Sequence, residues 1–217
     1  VSMEVMPTWG QDFINIGGIY KFNTGSLGVA LFIIISGLCL SLKYADQKIE
    51  YIKFITKRFL RIYPTFLMAL GLGIIFYYAL PESLLQEAYY YFPQVNVPDI
   101  FCSLTGFCHF IGRSGGPFLG PSWFIGLIIV LYLAFPWLLK KFKTNPHTLL
   151  FIIFLVSMIF RYLNANLPQY ALSLKSFFPL AYLFEFSLGI YLALIIKKDF
   201  WKILNHKVKL SKFLSEL

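Results

Sequence analysis

Arg58 and Arg61 stand three residues apart in the run Lys57-Arg58-Phe59-Leu60-Arg61-Ile62-Tyr63-Pro64, and Lys53, Lys57 and Arg61 follow one another at four-residue steps. On a helix such spacings place side chains on a shared face. Like charges held that close repel, and lipid phosphates, acidic side chains or an anionic ligand must offset the repulsion. Asp46 and Glu50 are the nearby acids, too few to neutralise the group. Lysines at a membrane edge are ordinary lipid anchors, worth about 1 kcal/mol each. Arginine differs, because its planar fork makes bidentate contacts with phosphate. The Arg58-x-x-Arg61 pair is therefore the candidate for holding an anionic substrate. Pro64 removes a helical hydrogen bond just beyond it, and irregular backbone at that depth is tolerated where it lines a cavity.

Glu185, in Phe184-Glu185-Phe186-Ser187-Leu188-Gly189, is the clearest ionisable residue inside an apolar stretch. A carboxylate there is costly unless it is paired, protonated or turned toward water. It is a candidate for acid–base chemistry, with a structural hydrogen-bonding role as the alternative. The histidines His109, His147 and His206 fall outside the apolar stretches. The chain carries no Ser-His-Asp order, phosphate-binding glycine loop or paired-histidine zinc motif. Cys102, Cys108 and His109 match no strong metal pattern, so no metal is expected. A Cys102–Cys108 disulfide is an alternative if that segment faces an oxidising compartment.

The elements that must position these residues are membrane spans. Hydrophobic residues make up 58% of the 217, and charged residues only 13%, against about 25% in soluble domains. Five stretches approach the roughly 17–25 residues needed to cross a hydrocarbon core: Ser26–Leu42, Phe59–Leu80, Ser122–Leu139, Thr148–Leu163 and Phe177–Ile196. A sixth, Asp99 to Gly112, is too brief and reads as re-entrant or interfacial. The expected fold is all-α, a polytopic transmembrane helix bundle forming a single membrane domain over residues 1–217.

The 19 Lys and Arg residues fix the sidedness of this arrangement. Fifteen fall at positions 43–61, 140–143 and 197–212; the remaining four are Lys21, Arg113, Arg161 and Lys175. Counted across five alternating spans, that asymmetry makes the three clusters cytoplasmic. The net charge of +9 follows from topology and calls for no nucleic acid. Cysteine replacing Lys48 or Lys141 should react with an impermeant thiol reagent only from the cytoplasm, and at Arg113 only from outside. Reaction of all three on one side would overturn the five-span arrangement.

Within the spans, Ser36-Gly37 reads as a close helix contact through small residues, which Gly25 and Gly28 extend. Cys39 reads as a small apolar filler. Pro121 and Ser122 make a helix start. Trp123 and Trp137 lie about 21 Å apart along that helix, near the two interfaces, and read as members of an aromatic belt. Tyr132 lies deeper and needs a hydrogen-bond partner if buried.

In combination these pieces resemble the integral-membrane acyltransferase family 3, bacterial O-acyltransferases. Gly25-x-x-Gly28-Val29-x-Leu31-Phe32 with Ser36-Gly37 is similar to that family's second-span signature. Arg58-x-x-Arg61-Ile62-x-Pro64 is similar to its arginine motif, Ser122-Trp123 with Tyr132 and Pro136 to a later span, and Phe184-Glu185-Phe186 with Gly189 to a further motif. The resemblance implies about ten spans in a bacterial inner membrane. It also implies transfer of an acyl group, acetyl above all, from cytosolic acyl-CoA to a hydroxyl of a sugar or cell-envelope glycan. No bound cofactor is implied; acyl-CoA is a substrate, and the partners are the glycan acceptor and membrane lipid.

Carried over by position, Arg58 and Arg61 would hold acyl-CoA, with Ser36, Gly37, Ser122, Trp123 and Tyr132 lining or supporting the site. The catalytic histidine that the family places in its first span would precede residue 1, so these residues alone would be inactive. Ile128 and Ile129 stand where many relatives have glutamate, which with Trp123-Phe124 is similar to the sugar O-acetylase branch. Two other readings stay open: a transporter of an anionic or acylated metabolite, with Glu185 and the arginines along its path, and a non-catalytic remnant.

Overall fold

The computed structural model describes residues 14–16, 20–22, 24–79, 97–107, 118–119, 122–166 and 178–198. A short antiparallel hairpin pairs β1 (Ile14–Ile16) with β2 (Tyr20–Phe22), with Asn15 opposite Lys21. Everything else of regular structure among the described residues is helical: α1 (Thr24–Tyr44), α2 (Tyr51–Ala79), α3 (Val97–Thr105), α4 (Trp123–Thr144), α5 (Pro146–Asn166), the single turn α6 (Phe178–Ala181) and α7 (183–198). Four of these, in α1, α2, α4 and α5, are long and apolar enough to cross a membrane. The chain is thus a polytopic helical membrane protein.

The helices extend past the apolar stretches from which they were expected. α2 starts at Tyr51 rather than Phe59, so Lys53, Lys57 and Arg58 are helical. Lysine and arginine are good helix formers, and hydropathy marks the part of a helix that meets hydrocarbon, not its ends. α2 also continues through Pro64, and α4 through Pro136. α5 begins at Pro146. Asn145 both ends α4 and starts α5: its N–H bonds Lys141 O at 3.2 Å, and its carbonyl accepts from Leu149 N at 3.1 Å. His147, expected outside the spans, therefore sits on the first turn of α5.

The fifth expected span is broken. A turn at Tyr182 separates α6 from α7. Ser157 Oγ donates to Leu180 O at 2.8 Å and Arg161 Nε to Ala181 O at 2.9 Å. Side chains of α5 thus satisfy carbonyls at the break, as an interrupted helix in a membrane requires. Arg161, placed by charge counting on the outer side, is half-buried on α5 and committed to this backbone contact.

The chain divides into two compact units, each with its own interior. One comprises Val1–Lys48, Trp137–Leu155 and Tyr182–Leu217; the other comprises Ile49–Pro136 and Val156–Ala181. In the first, Ile33, Leu40, Phe142, Phe186, Ile190 and Ala193 are buried. In the second, Phe54, Phe66, Leu70, Cys102, Leu127, Leu131 and Phe135 are. The outward row of α2, Met68 (73% exposed), Leu72 and Ile75, would be an anomaly on a soluble protein and is ordinary against lipid. Cys39 is likewise exposed on α1.

Candidate functional site

The arginine pair separates once its side chains are placed. Arg58 is half-buried; its guanidinium carbon lies 5.5 Å from the centre of the Phe54 ring, and its Nε is shielded from solvent. Phe54, one turn earlier on α2, is buried and stacks on Phe135 of α4 with ring centres 5.4 Å apart. A guanidinium over an aromatic face is held by the ring's quadrupole, an attraction that grows as the site is desolvated. Arg61, in contrast, is exposed. One arginine is oriented by an aromatic pair spanning two helices, whereas the other projects outward.

Tyr63 ties this segment to the next motif. Its ring stacks on Phe59 at 3.9 Å, and its hydroxyl donates to Thr105 O at 3.2 Å, at the end of α3. The helix ends there because Gly106 takes φ +74°, a left-handed conformation that glycine adopts without steric cost. Gly106 N closes the last turn on Cys102 O at 2.8 Å, and Thr105 Oγ accepts from Phe107 N at 3.3 Å. A Cβ at Gly106 would stand 2.8 Å from Ser122 O, and one at Gly126 would stand 2.5 Å from Gly106 O. The end of α3 is therefore seated directly on the start of α4. Ser122 is fully buried there, immediately before the helix, with Trp123 and Tyr132 half-buried further along.

The segment expected to be re-entrant or interfacial contains α3. Its Cys102 and Ser103 are buried, while Val97, Ile100, Phe101 and Leu104 are exposed, a short helix with its apolar side outward. Cys108 and His109 lie outside the described residues, as does His206. No group of three metal-ligating side chains occurs among the described residues.

In the other unit, Gly37 and Gly189 bring α1 and α7 into backbone contact. A Cβ at Gly37 would overlap the Phe186 carbonyl oxygen and stand 3.4 Å from Ile190 N. A Cβ at Gly189 would overlap the Ile34 carbonyl oxygen and stand 2.8 Å from Leu38 N. Each glycine sits between backbone groups one turn apart on the opposing helix. The helices run parallel, since the Lys197–Asp46 ion pair lies beyond the crossing on both. Ser36 is half-buried beside Gly37. Glu185 is one turn before Gly189, half-buried, with one carboxylate oxygen shielded from solvent. His147 Nδ1 meets the Tyr191 hydroxyl at 2.9 Å and so joins α5 to α7.

Sequence reasoning missed Phe54, Tyr63, Gly106 and Gly126. Phe54 was findable, being four residues before Arg58 on the same helix face. The pairing of Gly106 with Gly126 had no local signal.

A protein-family model described as an acyltransferase domain matches residues 3–215. No curated protein and no solved structure matches the chain.

Proposed function

Because the chain belongs to acyltransferase family 3, its family model matching nearly the whole length, we propose that it is a membrane O-acyltransferase of the bacterial inner membrane. The donor is acyl-CoA, most simply acetyl-CoA, and the acceptor a hydroxyl of a sugar or cell-envelope glycan. The observation that carries this reading beyond the family is Arg58, half-buried over Phe54, whose ring stacks on Phe135, at the end of α2 that charge counting makes cytoplasmic. A fixed, partly desolvated guanidinium suits a phosphate-bearing donor arriving from that side. Arg61 adds a second fork one turn further on.

The reaction needs the acceptor hydroxyl to lose a proton as its oxygen attacks the thioester carbonyl. The C–S bond then breaks, and coenzyme A leaves as the thiol once it takes up that proton. The arginines contribute by positioning the donor; they form no bond to the acyl group. Glu185 is the candidate acid–base residue in α7, about 18 Å along that helix from Lys197.

Membranes containing the protein should transfer label from acetyl-CoA to glycan as an alkali-labile ester. Movement of label across the membrane without ester formation would overturn the proposal in favour of a transporter. Glu185→Gln should lower kcat by roughly a hundredfold or more if the carboxylate moves the proton, and unchanged kcat would assign that role elsewhere.

A further inference from the structure

A shallow open groove lies along the first two turns of α2, lined by Glu50, Tyr51, Ile52, Lys53, Thr56 and Lys57. We propose that it is a binding site for the phosphodiester headgroup of an anionic phospholipid, distinct from the donor-holding role of Arg58. Three observations define the occupant.

Charge comes first. Lys53 and Lys57 supply two ammonium groups, and Thr56 supplies a hydroxyl donor. Lys53 already meets Glu50 Oε2 at 3.3 Å with both side chains largely exposed. Lys57, also exposed, meets no carboxylate among the described residues. Two cations against one anion leave a net charge of about one. That balance suits the single negative charge of a phosphodiester. It disfavours the several charges of a nucleotide polyphosphate, which would crowd against Glu50.

The walls come second. Ile52 is 80% exposed although it adjoins Lys53, and Leu60, one turn past Thr56 on the same side, is 63% exposed. An apolar side chain placed outward beside each end of a cationic patch is wasted on a soluble anion. It is suited to a ligand with a phosphate attached to hydrocarbon. Position comes third: charge counting puts this end of α2 at the cytoplasmic interface, where anionic headgroups lie. The outward row Met68, Leu72 and Ile75 continues into the hydrocarbon from there.

The inference does not depend on the acyl-transfer reading. Native mass spectrometry of the purified chain, released from mixed micelles of phosphatidylglycerol and phosphatidylcholine, tests it directly. One phosphatidylglycerol should be retained in preference to phosphatidylcholine. Lys53→Gln with Lys57→Gln should weaken that retention about twenty-five-fold, roughly fivefold for each lysine. Lys140→Gln with Lys141→Gln, an equal change in net charge elsewhere, should leave it unaltered. Coenzyme A at millimolar concentration should not displace the lipid. An equal loss in both double variants would reduce the site to general charge attraction and overturn the proposal. Displacement by coenzyme A would overturn it too, by making the groove part of the donor site.

Discussion

Alanine at Gly189 is expected to lower the stability of the protein by about 3 kcal/mol, the upper end of what overpacking costs. The new methyl would overlap the Ile34 carbonyl oxygen and crowd Leu38 N, and these are backbone atoms that cannot rotate away as a side-chain tip can. Relief requires α1 and α7 to move apart along their whole contact, where Phe186, Ile190 and Ala193 are fully buried. In a membrane, separated helices gain lipid contact, not water, so close backbone approach is itself the driving force for association. Gly37→Ala should cost a similar amount, through Phe186 O. The double variant should cost less than the sum of the two, because helices already parted by one methyl have room for the second. Denaturation of the detergent-solubilised protein would measure all three. Full additivity would mean that the two glycines act at separate places, contrary to the reciprocal geometry. Gly28, which has open space where its Cβ would be, is the control and should accept alanine without loss.

The same contrast shows what the chain discloses by itself. Composition and the distribution of lysine and arginine suffice for a multi-span helical protein, because burial in hydrocarbon imposes a demand on every residue of a span. The ends of the helices are less legible: α2 reaches back to Tyr51 because Lys53, Lys57 and Arg58 favour helix without being apolar. Ser36-Gly37 and Gly189 are visible as small residues, yet nothing local reveals that they meet one another. Such a pairing is a property of two distant segments and needs either a structure or many related sequences. The break at Tyr182 is hidden for a related reason. A run that reads as one continuous apolar helix is interrupted where Ser157 and Arg161, on another helix, take its carbonyls. Arg58 and Arg61 look equivalent in sequence because helical spacing gives a shared face. They differ in the fold because Phe54 captures only one of them.

That difference leads to the second large effect. Arg58→Lys should reduce kcat/KM for the acyl donor by roughly a hundredfold or more, with Arg61→Lys milder and Lys48→Ala near neutral. Lysine at 58 keeps the charge but replaces a flat, weakly hydrated fork with a point charge that is strongly hydrated. The flat contact with Phe54 is weakened, a change worth about 1–2 kcal/mol at a partly desolvated site. A bidentate contact with a donor phosphate would be lost as well, at roughly 1.5–3 kcal/mol for a hydrogen bond to a charged group. Phe54→Leu separates these contributions. It leaves Arg58 intact but removes the ring beneath it and the stacking on Phe135, so donor KM should rise while maximal rate at saturating donor changes less. If Arg58→Lys and Phe54→Leu leave donor use unchanged while Arg61→Lys abolishes it, the outward arginine is the donor ligand, and Arg58 serves to join α2 to α4 through the aromatic pair. Equal and mild effects at Arg58, Arg61 and Lys48 would instead make the whole basic segment a lipid anchor, because anchoring depends on charge alone and is indifferent to which cation supplies it.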